Sequence, residues 1–458
     1  MSGNLNEGSV EQLRETIGGD VVLPGEAAYD PSRQAWNLAA DQHPAAVVLA
    51  ESADDVASTV LFATDNGLRV APQGTGHGAG SLPDLGGTIL LKLSRMGGAE
   101  VDPAAGTAHA GAGAQWRDVV GPAAEHGLAA MHGSAGTVGL VGYHAGGGHA
   151  WVGRSRGWAC NSVRSFDVVT ADGEQRTASA ESEPDLFWAL RGGGGSHAIV
   201  TGTEVELFEL ASAYAGGLLW DIERAAEIAA AWRDVTASAP EELASTLKLV
   251  RFPPFPDVPE PLRGRALVGV TFAFLGSAAE GGELLAPLRA VADPYLGQAG
   301  EVPAPALAEI AGDPVDPVPA LAFGAPLAEL GDDTLDAYVE LAGPEADVPL
   351  IHLEIRHLGG ALARGSASNG ALDSLDSPYL LGAIGPVPVP EARAGVQATF
   401  EAIGERMAPW TAERGLLGFQ EQEPGWRASF PAATADRLAE LRDAYDPARL
   451  IVSNHDGD

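Results

Sequence analysis

The amino-acid sequence predicts an α+β fold divided into two domains. The chain has 458 residues, more than one hydrophobic core usually organises, and 45% of them are apolar, which is enough to fill two cores. Up to about residue 210, the sequence is dense in glycine and alternates short apolar runs with helical stretches. The glycine clusters thin out beyond that point. We therefore expect a first domain over residues 1–210, with its core at about 41–210, and a second domain over residues 211–430.

The first predicted unit is a strand, a helix and a strand. Residues 46–49 form an apolar run typical of a strand, and Ser52 with Asp55 has the spacing of a capping box at a helix start. A second strand is predicted at 68–71 and a third at 88–93, with four alternating glycines between them. A glycine loop therefore joins these two strands.

The later elements are predicted from the same patterns of apolar residues, which recur every three to four positions in a helix and form a continuous or alternating run in a strand. They are helices at 116–127, 222–235, 391–407 and 435–445, and strands at 166–170, 267–274 and 350–356. The tract from Val302 to Pro326 is rich in Pro, Ala and Asp, and it is predicted to be a surface loop or a poorly packed connection.

Composition and charge exclude several classes of function. Lys and Arg number 27 against 62 Asp and Glu, and the formal charge of -35 repels nucleic-acid backbones and anionic lipid. Cys160 is the only cysteine, which excludes an internal disulfide and a thiolate metal cluster. His132, His144 and His149 lack the spacing of a recognised metal site, so no metal is predicted. With no membrane-spanning stretch and no secretory pattern, cytoplasmic residence is expected.

Four glycine clusters in the first domain indicate a large or phosphorylated cofactor, because glycine lets the backbone approach a ligand and turn its N–H groups inward. The clusters span residues 73–80, 133–139, 142–148 and 191–196. A dinucleotide fingerprint of the Rossmann type requires a helix directly after the glycines, but residues 81–84 and a strand follow the first cluster. No cluster contains the Gly-Lys-Ser/Thr of a phosphate-binding loop. The absence of both patterns argues against NAD and ATP as ligands.

Several ordered blocks resemble one known family, the berberine-bridge-enzyme-like branch of the vanillyl-alcohol-oxidase flavoproteins. The blocks are Gly76-His77-Gly78, the triple-glycine stretch 142–148, residues 187–195 followed by Ile199-Val200-Thr201, and Tyr445-Asp446-Pro447 followed by Asn454-His455. The resemblance covers nearly the whole chain and is strongest from Pro44 to Leu210. It implies a p-cresol-methylhydroxylase-type FAD-binding domain, a substrate domain whose antiparallel sheet is covered by helices, and a return of residues 431–458 to the FAD domain.

The resemblance also implies that FAD is attached covalently to His77. The residues that it places around the cofactor are Gln73, Gly74, Thr75, Gly76, His77, Gly78, Ser81, Ser134, Gly136, Thr137, Gly139, Gly142, His144, Gly147, Gly148, Val200 and Asn454. Ala135 stands where many relatives carry a second attaching cysteine, so the attachment is expected to be single. Gln73 stands where a basic residue is common in the family, so this chain lacks one positive charge near the pyrophosphate or the flavin.

The catalytic candidates come from the stretch 353–360, which resembles the family's strand before a Gly-Gly. Alternation along a strand places Glu354 and Arg356 on one face, together with His352, and His357 on the other. Arg356 is predicted to hold a substrate carboxylate or to stabilise the anionic reduced flavin, and an ion pair with an acidic neighbour is the alternative.

Two more candidates lie outside that strand. Tyr143, before the triple glycine, either lines the flavin pocket or packs in a core turn. Glu421 and Glu423 lie where the family often supplies a tyrosine or an asparagine near the flavin, and Gln420 is the polar side chain selected there. The catalytic set is therefore Arg356, His357, Tyr143 and Gln420.

Flavin oxidation needs a hydride to leave carbon for the flavin while a nearby base takes a proton. The sequence predicts an oxidase that uses O2 to oxidise a small organic alcohol, amine or activated C–H substrate. A dehydrogenase with another electron acceptor and a flavin-binding protein without turnover remain alternatives. Such a fold accommodates a monomer or a homodimer.

Overall fold

A computed structural model describes residues 7–256, 258–421 and 425–455 of the protein. The helices are Glu7–Thr16 (α1), Tyr29–Arg33 (α2), Ala53–Asn66 (α3), Trp116–Ala124 (α4), Leu140–Ala145 (α5), Gly153–Arg156 (α6), Pro184–Leu190 (α7), Ala225–Ala237 (α8), Ala278–Leu284 (α9), Ala286–Val291 (α10), Asp332–Ala342 (α11), Ala392–Met407 (α12) and Ala432–Tyr445 (α13). Within these ranges, no helix is long and apolar enough to cross a membrane.

The strands fall into an N-terminal group and a C-terminal group. The N-terminal strands are Asp20–Val22 (β1), Ala46–Leu49 (β2), Arg69–Gln73 (β3), Thr88–Lys92 (β4), Ala99–Asp102 (β5), Thr107–Gly111 (β6), Leu128–Ala129 (β7), Val163–Val169 (β8), Gln175–Ser179 (β9), Ile199–Glu206 (β10) and Phe208–Glu209 (β11). The C-terminal strands are Ser212–Asp221 (β12), Leu243–Arg251 (β13), Ala266–Phe274 (β14), Leu296–Pro303 (β15), Ala320–Leu327 (β16), His352–His357 (β17) and Tyr379–Pro386 (β18). The predicted α+β class is confirmed.

The first sheet has the order β1-β2-β4-β3, with β2, β4 and β3 parallel. Helix α3 makes the crossover between β2 and β3, and it begins as the sequence predicted, with Ser52 Oγ accepting a hydrogen bond from the Asp55 amide at 3.2 Å. The end of the chain joins this sheet, because Val70 N donates to Leu450 O and Val452 N donates to Val70 O, both at 2.8 Å. The C-terminal segment therefore lies beside β3.

The second N-terminal sheet is antiparallel, with the order β5-β6-β10-β8-β9. Its core includes the fully buried rings of Trp116 and Phe166, which bring α4 against the sheet. This packing sets the direction in which the segment after α4 leaves, and that segment carries the second and third glycine clusters.

The C-terminal part is built on one antiparallel sheet of seven strands, in the order β15-β12-β14-β13-β17-β18-β16. Helices α8, α11 and α12 cover one face, where Trp232, Tyr338 and Phe400 are buried. Alternation on β17 sends Leu353 and Ile355 into that core. The opposite face of β17 is therefore left to polar side chains that meet the N-terminal part.

The predicted loop from Val302 to Pro326 is wrong at both ends. Residues up to Pro303 belong to β15, and Ala320–Leu327 forms the edge strand β16, which pairs with β18 along its whole length. Composition suggested a loop, but a strand at a sheet edge tolerates proline, and Pro326 lies near the end of β16. Tertiary pairing therefore overrode the local composition.

Candidate functional site

The loop after β3 is held against an N-terminal segment. Trp36 N donates to Thr75 O at 3.0 Å, and Asn37 N donates to Gly76 O at 3.3 Å. Gly76 has a φ of +82°, and a Cβ atom built there would lie 2.8 Å from the Cβ of Ala35. Glycine is therefore required at position 76 by both conformation and close approach.

His77 is half-buried rather than turned to bulk solvent. Its imidazole stacks on the indole of Trp36, with ring centroids 3.8 Å apart and planes 16° apart, and its Nε2 lies 3.4 Å from Thr137 Oγ1. Burial lowers the pKa of His77 to about 4, although Thr137 and Asp313 favour the charged form. The imidazole is therefore neutral at neutral pH, the form that has a nitrogen lone pair free to react.

The second glycine cluster faces this loop. Arg117 N donates to Gly136 O at 2.9 Å, which docks the cluster on the first turn of α4. Thr137 is buried, and a Cβ atom built at Gly139 would lie 3.5 Å from Thr75 Cγ2. Two glycine-rich turns from distant parts of the sequence thus meet at His77 and Thr75.

The end of the chain closes the same loop. Asn454 Nδ2 donates to Gly78 O at 2.9 Å, and His455 N donates to Ser81 O at 3.1 Å. A Cβ atom built at Gly78 would lie 2.7 Å from Asn454 Nδ2. The structure therefore brings Asn454 and Ser81 to the loop of His77, together with the first two clusters.

Gln73 lies beneath this loop, and its side chain is used by the protein itself. Its Nε2 donates to Gln42 Oε1 at 2.8 Å, and its Oε1 accepts from Lys92 Nζ at 2.7 Å. Lys92 also donates to Gln34 O at 2.8 Å, and burial lowers the pKa of Lys92 to about 8. The sequence analysis missed this lysine, although a lone Lys ending the apolar strand β4 was a visible signal.

The triple glycine is required by packing inside the protein. Gly147 and Gly148 have φ values of +101° and +71°. A Cβ atom at Gly147 would lie 2.3 Å from Leu372 Cδ2, and one at Gly148 would lie 2.4 Å from the Tyr143 ring. The Gly142 position has no heavy atom within 4 Å of such a Cβ. Gly142 is exposed, with open space beside its Cα, whereas Gly147 and Gly148 serve the turn. The predicted cofactor residue Val200 is buried in the N-terminal core.

His144 is fully buried, and neither of its ring nitrogens has a hydrogen-bond partner among the described residues. It lies edge-on to Trp116, with centroids 5.4 Å apart. Burial lowers the pKa of His144 to about 3, so the ring is neutral. Buried polar atoms without partners also occur on neighbouring elements at Trp36 Nε1, Tyr143 Oη, His149 Nε2, Trp151 Nε1 and Glu354 Oε2. Such atoms are costly unless a ligand or water satisfies them, so they fit a bound polar cofactor and substrate.

Glu354 on β17 is the centre of a charged group. Arg356 Nε donates to Glu354 Oε1 at 2.6 Å, and Lys248 Nζ on β13 lies 3.4 Å from Oε2. His352 Nε2 lies 3.7 Å from the same oxygen. Burial by itself would raise the pKa of Glu354, but Arg356, Lys248 and His352 together hold it well below its usual range. The buried carboxylate is therefore ionised.

A narrow cavity lies between this polar face of the sheet and the N-terminal part. Its lining residues are Ser134, His149, Trp151, Thr246, Lys248, Ala311, Glu354 and Arg356. Ser134, from the second glycine cluster, donates to Asp313 Oδ2 at 2.6 Å, which links the cluster to the C-terminal part. Burial lowers the pKa of His149 to about 3, so this imidazole also faces the cavity uncharged.

The structure brings one of the four predicted catalytic residues, Arg356, to the lining of this cavity. Tyr143 instead packs edge-on against Trp116, with ring centroids 5.4 Å apart, and burial raises the pKa of its hydroxyl well above the usual value, so the hydroxyl is protonated. His357 does not reach the cavity, because strand alternation turns it into the core, where its ring stacks on Tyr379 with centroids 5.7 Å apart.

Gln420, selected as a catalytic residue, is hydrogen-bonded within its own segment and is not among the residues that line the cavity. Its Oε1 accepts from Ser429 Oγ at 2.8 Å, because the chain turns back on itself after the 3₁₀ turn Leu417–Phe419. The neighbouring Phe419 ring lies under the Arg356 guanidinium, 5.0 Å from centroid to carbon. Glu421 accepts from Ala322 N, and Glu423 lies outside the described residues.

Groups of three or more potential metal ligands are absent from the residues that the structure describes. The site is built from backbone turns, neutral imidazoles and one ionised carboxylate with its cations.

Comparison with known proteins agrees with this geometry. The family model described as FAD binding domain matches residues 44–179. (R)-6-hydroxynicotine oxidase from Paenarthrobacter nicotinovorans is 34% identical over 206 residues, which are 45% of this chain and 45% of that protein. FAD-linked oxidoreductase pynB from Aspergillus niger is 31% identical over 210 residues, 45% of this chain and 39% of its own length. The sequence matches thus span less than half of these relatives.

Solved structures share the fold over nearly the whole chain. Physcomitrella patens BBE-like 1 has a TM-score of 0.84 at 18% identity, covering 96% of this chain and 97% of that one. Glucooligosaccharide oxidase from Acremonium strictum, which carries a 6-S-cysteinyl, 8α-N1-histidyl FAD, has a TM-score of 0.81 at 20% identity, covering 98% of both chains. The N-terminal part is therefore an FAD binding domain of a flavoprotein. Its sequence relatives are named oxidases and FAD-linked oxidoreductases and its fold neighbours include a BBE-like protein, which confirms the resemblance at the level of the FAD-linked flavoprotein fold.

Proposed function

We propose that the protein is an FAD-dependent oxidase that carries its flavin covalently on His77 and oxidises a small organic alcohol, amine or activated C–H substrate with O2. The observation that carries this proposal is the meeting of three elements at one place. A neutral, half-buried His77 in the first glycine-rich turn meets Thr137 of the second turn. The second turn also carries Ser134, which lines the cavity together with Glu354 and Arg356. Cytoplasmic residence belongs to the same proposal.

The residues present fit FAD. The turns at 74–78 and 133–139 supply backbone N–H groups for a pyrophosphate, and Gly142 leaves open space beside them. The unpartnered nitrogens of His144 and the Tyr143 hydroxyl supply polar contacts further along the same segment. Ala135 has no atom that could form a second bond, so His77 is the single attachment point.

The cavity residues define what the protein does to a substrate. FAD, when bound, supplies the two-electron acceptor. Glu354 Oε2 is ionised and accepts no hydrogen bond from the described residues, so it is the acceptor for a substrate O–H or N–H. His149 lines the same cavity, neutral and with Nε2 unpartnered, so it offers the substrate a second hydrogen-bond contact. Arg356 and Lys248 stabilise negative charge that develops nearby.

The test begins with acid precipitation of the purified protein. Yellow colour that stays with the pellet, and a flavin adduct found by mass spectrometry on the tryptic peptide containing His77, support covalent attachment. His77→Ala is the matched variant and should bind FAD without an acid-stable adduct. A colourless pellet from yellow protein would remove the covalent bond, and colourless native protein would remove FAD itself.

Oxygen consumption with a panel of alcohols and amines then tests the reaction. Turnover with stoichiometric H2O2 supports an oxidase. Substrate reduction of the flavin that is reoxidised only by an artificial acceptor would make the protein a dehydrogenase. Flavin that photoreduces normally but is reduced by no substrate of the panel would favour a binding protein without turnover.

A further inference from the structure

The aromatic stack on His77 has no role in the functions considered so far. Trp36 lies 41 residues before His77 in the sequence, yet its indole lies 3.8 Å from the imidazole, nearly parallel to it at 16°. The indole Nε1 is buried and has no hydrogen-bond partner among the described residues. The contact therefore consists of the ring faces, which fixes the imidazole plane without occupying either ring nitrogen.

The segment that carries Trp36 is held from both sides. Trp36 N donates a hydrogen bond to Thr75 O in the loop that contains His77, and Lys92 Nζ donates one to Gln34 O. The same Lys92 holds Gln73, which begins the loop of His77. One buried ammonium thus ties together the two segments whose side chains form the stack.

We propose that Trp36 is a positioning residue for attachment of the flavin to His77: its indole fixes the imidazole plane and keeps water from one face of the ring. The proposal rests on the proposed function. A stacked ring needs no induced rearrangement before it reacts, and such preorganisation lowers the entropic part of a barrier. Thr137 limits the ring at the Nε2 edge, so face and edge are both constrained.

The attachment step balances with dioxygen as the oxidant. One bond forms between the lone-pair nitrogen of His77 and the methyl carbon of the flavin; the methyl group loses one hydrogen, and the other ring nitrogen loses its proton. Both hydrogens and the two electrons remain on the flavin, and O2 then removes them as H2O2. The nitrogen must have a free lone pair, so the imidazole must be neutral when the bond forms.

Burial lowers the pKa of His77 to about 4, so attachment in the wild type should be independent of pH between 6 and 8. Trp36→Ala opens one face of the ring to water. The pKa should then return toward the unperturbed value of about 6.5, and only about one quarter of the imidazole would be neutral at pH 6. This pH dependence reports exposure of the His77 ring to water, which a change elsewhere in the protein would not produce.

The experiment uses full-length protein produced in a riboflavin-deprived host, to which FAD is added at pH 6 and at pH 8. The acid-stable flavin fraction is followed with time. Trp36→Ala should bind FAD but attach it roughly tenfold more slowly at pH 8, with about a further fourfold loss at pH 6. Trp36→Phe, which keeps a flat ring, should restore most of the rate. Trp410→Ala is the matched control, because Trp410 is also half-buried but packs beneath Arg406 in the C-terminal part.

The proposal would be overturned if Trp36→Ala attached FAD at the wild-type rate at both pH values. So would a variant that loses non-covalent FAD together with attachment and is not rescued by Trp36→Phe, because the residue would then serve folding. If the wild type binds FAD but never forms an adduct, this inference fails together with covalent attachment, whereas turnover with freely dissociable FAD would leave an FAD-dependent oxidase standing.

Discussion

Arg356 Nε donates a 2.6 Å hydrogen bond to Glu354 Oε1 on the polar face of β17, and the other oxygen of that carboxylate has no hydrogen-bond donor among the described residues. The pair is two residues apart on one strand, so the sheet itself sets its geometry. The outcome is a buried, ionised carboxylate with one oxygen hydrogen-bonded to Arg356 and the other 3.4 Å from Lys248 Nζ but without a hydrogen bond from the described residues.

Glu354→Gln should therefore lower kcat/KM by about 10²-fold or more, because the neutral amide cannot replace an ionised acceptor at the reacting group. Flavin content should stay unchanged, since Glu354 lies on the C-terminal sheet. Steady-state kinetics with any substrate that turns over measures the loss. Glu241→Gln serves as control, because that exposed carboxylate pairs with Arg364 outside the cavity. Equal kcat/KM for Glu354→Gln and wild type would contradict the assigned role.

Two glycines of the same cluster should respond differently to alanine. Gly148→Ala should reduce the unfolding free energy by about 1–3 kcal/mol, because φ is +71° and the new Cβ would collide with the Tyr143 ring. Gly142→Ala should leave it within about 1 kcal/mol of wild type, because it lies within α5 and nothing is near its Cβ. Urea unfolding of the two variants decides the matter. Equal losses would show that the triple glycine is not constrained by packing.

His197 should make the protein sensitive to acid. It is buried with Nε2 3.0 Å from Leu438 O, and burial lowers its pKa to about 4. The unfolded imidazole, with a pKa near 6.5, binds a proton first, so stability is fully present above about pH 6.5 and is lost as the pH falls toward 4. The loss from this group is about 3 kcal/mol over that window. His197→Gln should show a flatter decline in unfolding free energy than wild type between these pH values, and parallel curves would exclude this contribution.

Lys92 should make the unfolding free energy depend on pH in the alkaline range. Burial lowers its pKa to about 8, below the value of about 10.4 in an unfolded chain, so the unfolded state binds the extra proton between these values. The unfolding free energy of the wild type should therefore rise by about 3 kcal/mol relative to Lys92→Met as the pH increases from 8 to 10.4. Lys92→Met also leaves Gln73 and Gln34 without a hydrogen-bond donor, which lowers stability at every pH. The comparison therefore uses only how the difference in unfolding free energy changes with pH. A constant difference across the window would contradict the burial of an ammonium that has neutral hydrogen-bond partners and no carboxylate partner among the described residues.

Local signals predicted much of the scaffold. The capping pair Ser52 and Asp55 begins α3, and Gly67 ends it with a φ of 65°, because these contacts involve residues close in sequence. Strand periodicity placed Glu354 and Arg356 on one face of β17 and His357 on the other, as the structure shows. The tract containing β16 was mispredicted, because the pairing with β18 that defines it spans more than fifty residues.

The site residues that were missed share a long sequence separation. Trp36 meets His77, and Lys92 meets Gln34 and Gln73, through contacts that no spacing rule encodes. Gln420 was selected by position, but a turn in its own segment directs its amide to Ser429. Side-chain direction at such positions depends on packing by other elements rather than on the local pattern.

By itself, the sequence determined the α+β class, the glycine turns with His77 among them, and the face of β17 that carries Glu354, since periodicity and backbone freedom are local properties. Tertiary structure alone decided that His77 lies neutral against Trp36, that Lys92 is buried beneath its loop, and that Ser134 reaches the cavity of Arg356. The reason is physical: burial and electrostatic environment depend on which distant segments come together, and folding alone brings them together.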